Sequence, residues 1–596
     1  MITLGINAAF HDSAAALVVD GIPRAAAEEE RFTRIKHAKR PVPFSAWELP
    51  FHAIDYCLAE AGITMAEVDH VAYSFDPEYF PGCFSADTDS ITLPLKPAAG
   101  RREDWSSPWD GLFLAYMRNA PLQLADGVPH HLRKRLACRG LTHFRWHDVN
   151  HHLCHQASAF LAAPFEACAV MTLDGRGERA STTYGLWRDQ RYVALGEVRV
   201  PHSLGILYED VTSHLGFLNS SDEYKVMALA ALGEPRHLEA LREIVQLGED
   251  GQFVIRPFDP AAVFGPARTP KSALGQVHFD IAASLQAVLE ETVLGLARWL
   301  RERSGARHLA MAGGVALNCV MNARLRDAGI FDSVWVQPAA GDAGTALGAA
   351  LWVDARERLT DPAAPAAKPA AEEDGILLAP RRWQMEDAYL GPGYDEAEIE
   401  ALLRSAKLTY RRLDDVPGET ARLLADDRII GWFQGRMEFG PRALGARSIL
   451  ASPISAGMQA RMNELKDRED FRPVAPAIPQ DELPAWFSPA EANGGRAPFM
   501  LFIYDVLPAQ ADRIPAACHA DRTARVQTVD ARSNPVYHDL LKAFGRLTGV
   551  PVLINTSFNV RGEPVVCTPK DALDAFFTTP LDALVIGPFL LEKTPR

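Results

Sequence analysis

The chain lacks three things at once: paired cysteines, a long apolar run and any excess of positive charge. Its eight cysteines (57, 83, 138, 154, 168, 319, 518 and 567) include no CxxC pair. That scatter excludes zinc ribbons and a disulfide framework, and it fits a reducing compartment. No apolar stretch reaches membrane-spanning length, and the opening MITLGINAAF reads as a strand without a basic n-region or cleavage site. A cytoplasmic protein with no membrane partner is expected. The formal net charge is -15, from 61 Lys+Arg against 76 Asp+Glu. This balance argues against a non-specific grip on nucleic acid.

What is present is a soluble globular composition, 48% apolar and 23% charged, over 596 residues, enough for at least two domains. ITLGIN, AAALVVDG and PRAAAEEERF read as three strands, with a hairpin signal at Asp20-Gly21. VAYSF, FRWHDV, ACAVMTLD, HLAMAGG and SVWVQP follow as strands, alternating with helical patterns such as FDIAASLQAVLEETVLGLARWLRER. The alternation predicts α/β layers around a mostly parallel sheet. An insertion at about residues 76–142, carrying the basic run HHLRKRLACR, reads as a solvated helical excursion. The Pro/Ala/charge-rich DPAAPAAKPAAEED has no core-forming pattern, and a linker is placed at 361–386. It separates a domain at 1–360 from a second α/β domain at 387–596, whose strands are RIIGWFQ, FMLFIYDV, PVLIN and DALVIG. No repeat relates the two halves.

His151 and His155 in VNHHLCHQASAF stand one helical turn apart, and a helix beginning near Asn150 puts both imidazoles on one face. Such a pair alone fits a solvated helix face as well as a metal. Asp174 after ACAVMTL and Asp342 in QPAAGDAGTALGAA, both at strand-end turns, favour the metal. Two nitrogens and two carboxylate oxygens suit a borderline or hard divalent ion. Gly313 and Gly314 in AGGVALNC open a helix after a strand, where backbone amides can approach a phosphate. With Gly175 and Asn318 they are the candidate nucleotide contacts of this half. The set of turns resembles the actin/Hsp70/sugar-kinase superfold.

The second half concentrates cations although the chain is acidic. GWFQGRMEFGPRALGARSILASP carries Arg436, Arg442 and Arg447; Lys466 and Arg472 follow in NELKDREDFRPVAPA, Arg522 and Arg525 in CHADRTARVQTV, and Asn555 in INTSFNVRGEP. Any one of these arginines suits a surface ion pair, whereas the constellation suits a polyanion such as a triphosphate or an acyl phosphate.

NAAFHDSAAALVVDG, EEERFTRIKH, NHHLCHQASAF, LDGRGE, SDEYKVMALA, AGGVALNC, QPAAGDAGTALGAA, GRMEFGPRALGARS, DREDFRPVAPA, TARVQTV and NTSFNVRGEPVVCTP, in this order, resemble the NodU/CmcH family of O-carbamoyltransferases. The resemblance spans nearly the whole chain. It implies an N-terminal domain similar to the threonylcarbamoyl transferase of tRNA modification and a YrdC-like C-terminal domain. It further implies that carbamoyl phosphate and ATP, with Mg2+, give carbamoyl adenylate. The carbamoyl group then passes to a hydroxyl of a small molecule, and AMP is released. The family's acceptors include aminoglycosides, cephems, macrocycles, nodulation oligosaccharides and guanidinium toxins.

The family's metal ligands match His151, His155, Asp174 and Asp342, with iron(II) as the ion. Its base matches His11, and Asp12 beside it is placed to orient the ring or to touch the acceptor. Lys466 and Arg472 match its basic residues closely, with Arg436, Arg442, Arg522 and Arg525 as further candidates. Cys154 replaces a small residue in the metal helix, and Asp222 stands where glycine is usual. A homodimer is compatible with this reading. Three other readings stay open: a tRNA-modifying threonylcarbamoyl transferase, a hydrogenase-maturation enzyme and a non-catalytic nucleotide-gated scaffold. The second is disfavoured by the lack of CxxC pairs.

Overall fold

A computed structural model of the protein describes residues 1–38, 49–79, 110–128, 142–359, 375–560 and 562–593. The HHLRKRLACR run and DPAAPAAKPAAEED lie outside the described residues.

The first sheet has the order β3-β2-β1-β4-β5. Strands β1 (Ile2–Asn7), β2 (Ala14–Val19) and β3 (Ile22–Glu28) are antiparallel, and β4 (His70–Tyr73) and β5 (Arg145–Asp148) are added in parallel. The second sheet comprises β6 (Cys168–Leu173), β7 (Ala180–Arg188), β8 (Arg191–Arg199), β11 (His308–Ala312), β12 (Ser333–Val336) and β13 (Ile376–Leu377). Its order is β12-β11-β6-β7-β8-β13, again with an antiparallel β6-β7-β8 meander and two parallel additions on the β6 side. Strands β9 (Val245–Leu247) and β10 (Phe253–Ile255) form a small ribbon between them in sequence.

The expected mostly parallel sheet is therefore corrected to two mixed sheets built on one plan. The physical reason lies in the turns. Asp20-Gly21 joins β2 to β3 and Asp189-Gln190 joins β7 to β8, and all four residues have positive φ. Two-residue turns of this hand impose antiparallel pairing. Asp189-Gln190 carries no glycine, so its turn is silent in the sequence.

Two close approaches stack the layers. The Ala343–Glu357 helix lies between β1 and the His151–Phe160 helix. A Cβ on Gly5 would stand 1.9 Å from the Ala346 carbonyl oxygen, and one on Gly348 would stand 1.8 Å from that of Cys154. Backbone thus meets backbone on both sides of this helix, and Asp342 at its start is carried against the histidine helix. The amphipathic Gln276–Ser304 helix buries Ile281, Leu285, Leu289, Val293, Leu296 and Leu300.

The third sheet contains β14 (Arg411–Arg412), β15 (Ile430–Phe433), β16 (Arg447–Ala451), β17 (Ala475–Pro479), β21 (Gln527–Val529), β22 (Leu553–Ser557), β23 (Ala583–Ile586) and β24 (Phe589–Glu592). Its order is β14-β24-β23-β15-β16-β22-β17-β21, parallel at β15-β23 and β17-β21 and antiparallel elsewhere. Strands β18 (Phe487–Ser488), β19 (Ile503–Val506) and β20 (Thr523–Arg525) form a separate three-stranded sheet. FMLFIYDV becomes a strand only from Ile503, because Met500 sits at φ 56 and breaks the extended run while Phe499–Phe502 stay buried. Strand β13 pairs with β8, and the Met385 N–H donates to the Ala162 carbonyl at 2.9 Å, so residues after 375 run along the first half. Among the described residues, no helix is long and apolar enough to cross a membrane.

Candidate active site

The histidine helix starts where its cap residue puts it. Asn150 accepts the Leu153 N–H at 3.1 Å through its side chain, and the helix runs from His151 to Phe160. Glu178, fully buried, accepts from the His151 N–H (2.8 Å), the Asn150 amide (2.9 Å) and the Asp76 N–H (2.8 Å). Asp174 follows the end of β6, and the Gly314 N–H donates to its Oδ1 at 2.7 Å. Asp342 immediately precedes the Ala343–Glu357 helix, and its carboxylate makes no capping bond, leaving it free to face the histidines.

These elements bring His151, His155, Asp174 and Asp342 into one buried group, with ligand atoms all within 4.8 Å of one another. The two Nε2 atoms are 3.1 Å apart. From His151 Nε2, Asp342 Oδ1 is at 3.6 Å and Asp174 Oδ2 at 3.7 Å; from His155 Nε2 they are at 3.7 and 3.9 Å. Nδ1 of His151 faces the Ser74 carbonyl at 3.3 Å, which assigns a ring proton there and turns Nε2, the atom that would hold a metal, into the group. Burial opposes a charge on His151, but the carboxylates of Asp342 and Asp174 hold its pKa well above the ordinary value. Both carboxyls are held low against burial, chiefly by the His151 ring. The donor set fits a divalent ion.

His152 points the other way, to Thr172 Oγ1 (2.8 Å) and the Ala180 carbonyl (3.0 Å), and burial pushes its pKa down to about 3. Cys154 directs its thiol at the Val149 carbonyl, 3.6 Å away.

A second group joins His11 and Asp12, on the loop after β1, to His37, which lies beyond β3. Asp12 Oδ2 meets His11 Nδ1 at 2.8 Å, and Oδ1 meets Nδ1 of His37, also at 2.8 Å. Burial opposes the Asp12 charge, yet the two imidazoles hold its carboxyl well below the usual range. Nε2 of His11 faces the Ser220 carbonyl at 2.9 Å, and Nε2 of His37 faces Ser221 Oγ at 3.2 Å. Asp222 has φ -109, within reach of any residue, so its place in this loop needs no glycine.

The third group is cationic. Lys466 ends the Met458–Leu465 helix and donates from Nζ to Ser557 Oγ (3.0 Å), Asn559 Oδ1 (2.8 Å) and the Ser557 carbonyl. Burial, then Arg468, Arg472 and Lys36, push its pKa well down. Burial and the neighbouring Arg525 lower Arg442 to about 9; burial and Arg472 do the same to Arg468. Nε of Arg442, a terminal nitrogen of Arg468 and Nε of Arg525 are buried without a protein acceptor. Cations crowded in this way need an anion between them. The group faces the first half: Arg472 lies over the Tyr224 ring at 4.6 Å, and Lys225 bridges Asp222 (3.1 Å) and Glu469 (3.0 Å).

Not every expected residue joins these groups. Arg436 donates instead to the carbonyls of Gly391, Leu390 and Arg24 and to Tyr56. Arg447, fully buried, donates to the carbonyls of Gln434, Gly435, Ala446, Pro392 and Cys567. Arg522 is exposed. Asn555 donates to Gln527 Oε1 at 2.7 Å and the Ala443 carbonyl at 3.2 Å, and its Oδ1 is buried without a partner. Asn318 caps the Cys319–Asp327 helix and donates to Gln286 at 2.8 Å; the Gly313 N–H reaches the Ala340 carbonyl, and the Gly175 carbonyl accepts from Ser203 Oγ. Glu178, His37 and Arg468 join these groups although no local sequence pattern marks them. Glu178 and His37 stand in the segments LDGRGE and EEERFTRIKH, and Arg468 lies between Lys466 and Arg472, but nothing local says where they point.

Residues 2–351 match the family described as Carbamoyltransferase N-terminus, and residues 421–593 the one described as Carbamoyltransferase C-terminus. An uncharacterized protein of Synechocystis, sll1178, is 38% identical over 100% of this chain and 97% of its own length. Nodulation protein NolNO of Sinorhizobium fredii is 36% identical over 98% of this chain and 80% of its own length. Nodulation protein NolO of Bradyrhizobium diazoefficiens is 38% identical over 75% and 79% respectively. Among solved structures, HypF of T. kodakarensis overlays at 12% identity and a TM-score of 0.31, covering 59% of this chain and 48% of that one. At a score this low the architecture rests on its own sheets.

Proposed function

The chain belongs to the carbamoyltransferase family, and from that membership we propose a two-step reaction divided between the cationic group and the histidine–aspartate groups. Water cleaves carbamoyl phosphate to carbamate and inorganic phosphate at the cationic group. The carbamate attacks the α-phosphorus of ATP, pyrophosphate leaves, and carbamoyl adenylate forms. At the transfer groups a hydroxyl of a small-molecule acceptor attacks the carbamoyl carbon and AMP leaves.

The observation that carries this reading is the clustering of buried Lys466 with the partly buried Arg442, Arg468, Arg472 and Arg525, beside the loop that covers His11. Free carbamate is a poor acyl donor, and the mixed anhydride supplies AMP as a good leaving group. Anionic reactants and the departing pyrophosphate are stabilised by preorganised cations. Bound by His151, His155, Asp174 and Asp342, a divalent ion, iron(II) on the family resemblance, supplies Lewis-acid stabilisation of charge at the transfer step.

The base is His11. With its Nδ1 proton on Asp12, the Nε2 lone pair of the neutral ring points at the carbonyl oxygen of Ser220, another acceptor. An acceptor alcohol that takes the place of the Ser220 carbonyl at Nε2 donates its O–H there, and the proton passes to Nε2 as the hydroxyl oxygen attacks. The resulting imidazolium is satisfied on one side by Asp12 and, when the product leaves, on the other by the Ser220 carbonyl.

In this reading residues 1–360 form an actin/Hsp70/sugar-kinase-like transfer domain and residues 387–596 a YrdC-like adenylate-forming domain, joined by 361–386. The duplicated plan of the first two sheets supports the former. Gly175, Gly313, Gly314 and Asn318 line the nucleotide end of the transfer site, and Mg2+ accompanies ATP. The enzyme works in the cytoplasm on a specialised metabolite, without nucleic acid, and a homodimer is compatible with this. The test supplies 13C-carbamoyl phosphate, ATP and a deproteinised small-molecule extract of the source cells, with bulk tRNA in a parallel arm. Label in a small hydroxylated molecule, found by mass spectrometry, is expected. Label in tRNA alone, or pyrophosphate release independent of carbamoyl phosphate, would sink the reading.

A further inference from the structure

The carboxylate of Asp12 is shared by two imidazoles whose surroundings differ. Both ring nitrogens of His11 face oxygen acceptors, Asp12 Oδ2 and the Ser220 carbonyl. His37 faces one acceptor, Asp12 Oδ1, through Nδ1, and one hydroxyl, Ser221 Oγ, through Nε2. A neutral His37 that donates from Nδ1 and accepts from Ser221 satisfies every contact, whereas His11 is fully satisfied only after gaining a proton. The two rings are therefore built for different tasks on one carboxylate.

The backbone gives independent testimony. Asp12 (φ 48), His37 (φ 60) and Ser220 (φ 54) all occupy the left-handed region that residues bearing a Cβ seldom adopt. Strain of this kind persists where the surroundings over-determine it, and it clusters at working sites. At His37 the restraint is visible: its N–H donates to Glu30 Oε2 at 2.6 Å. The same segment is fastened to the C-terminal half, since Arg31 donates to the Gly440 carbonyl (3.0 Å) and Arg34 to those of Val565 (2.6 Å) and Pro564 (2.9 Å).

We propose that His37 is a positioning residue for carbamoyl transfer: by donating Nδ1–H to Oδ1 of Asp12, it holds Oδ2 of that carboxylate on the His11 ring and fixes the tautomer that presents Nε2 to the acceptor hydroxyl. The inference rests on the proposed role of His11 as base. Among the described residues, Asp12, His11 and Glu30 are ionisable groups in contact with His37, with Lys36 beside it in sequence. Because its segment is bolted to the adenylate-forming half, the ring also ties the alignment of the base to the seating of the two halves.

The experiment compares His37→Ala and His37→Asn with the unaltered enzyme. It uses 13C-carbamoyl phosphate, ATP and the deproteinised extract as acceptor pool, and follows labelled product, pyrophosphate and bound metal. His37→Ala is expected to slow labelling by about 10–100-fold, part of the range a positioned base supplies, while pyrophosphate release and metal content hold. His37→Asn should recover most of the loss, because its side-chain amide can donate to Asp12 from near the position of Nδ1. Labelling by His37→Ala at the unaltered rate, or an Asn variant no better than Ala, overturns the proposal. A parallel His11→Asn enzyme that labels normally overturns the reading of His11 instead, whatever the His37 variants show.

Discussion

Nε2 of His151 lies 3.1 Å from Nε2 of His155, and neither ring is exposed to solvent. Facing carboxylates complete the set, so either imidazole should be indispensable for metal. His151→Ala and His155→Ala are each expected to lose stoichiometric metal by elemental analysis and to lose transfer, while pyrophosphate release continues. His152→Ala is the contrast. It leaves the four ligands in place but empties the bonds to Thr172 and Ala180, so stability should fall by about 1–3 kcal/mol with metal content unchanged. Full metal content in a His151/His155 double variant would show that the group binds no ion.

Glu178 holds the start of the same helix through the His151 N–H and the Asn150 side chain. Glutamine keeps its size but turns a donor toward groups that already donate. Glu178→Gln is expected to weaken metal binding roughly 10–100-fold, the usual effect of losing a group that orients a ligand, measured by competition with a chelator. An unchanged affinity would mean that the helix start is fixed by Asn150 alone.

The histidine pair was legible because helical period alone puts i and i+4 on one face, and Asn150 marks the start. Asp342 was legible as an acidic residue at a strand-end turn just before a small-residue helix. Arg436 and Arg442 show where legibility ends. They share a glycine-rich segment without a period, so their directions depend on the path of the chain through the assembled halves. Arg436 is drawn to the carbonyls around Gly391, and Arg442 enters the cationic group. His37 was hidden because its partner Asp12 is 25 residues away across a tertiary contact. Strands β7 and β8 were hidden because their turn, Asp189-Gln190, reaches positive φ without glycine.

Lys466 and Arg472 should govern adenylate formation and nothing else. Lys466→Ala and Arg472→Ala are each expected to lower carbamoyl-phosphate-dependent pyrophosphate release a hundredfold or more, since removing a charge that pairs with a buried phosphate costs about 2–5 kcal/mol. Both variants should still label acceptor when carbamoyl adenylate is supplied. Equal failure with supplied adenylate would abolish the division into two steps.

Arg447 tests whether burial of a cation in this half always means ligand. Its guanidinium stacks 3.6 Å from the centre of the Phe433 ring and is ringed by main-chain carbonyls. Arg447→Met is expected to destabilise the protein by about 3–5 kcal/mol, as acceptors buried around a lost charge do, and to lower the melting temperature along with both half-reactions. Lys466→Ala, by contrast, should lower the melting temperature less, because losing its bonds to Ser557 and Asn559 is offset by relief of the crowding with Arg468 and Arg472. A stable Arg447→Met protein that fails only in pyrophosphate release would move Arg447 into the phosphate site.

The last prediction isolates the base. His11→Asn keeps a hydrogen-bonding side chain near Asp12 but has no nitrogen that accepts a proton near neutral pH. Pyrophosphate release should continue, because the cations that make the adenylate lie in the other half. Acceptor labelling should fall by about 10²–10⁴-fold, the usual contribution of a positioned general base. Metal content and melting temperature should stay near those of the unaltered enzyme, since the ring is part-exposed and asparagine can keep a hydrogen bond to Asp12. A defect confined to labelling places the proton transfer at His11. Labelling at the unaltered rate would make His11 a structural brace for the Ser220 loop, and the base would then have to be sought among the four buried ligands or in the acceptor itself.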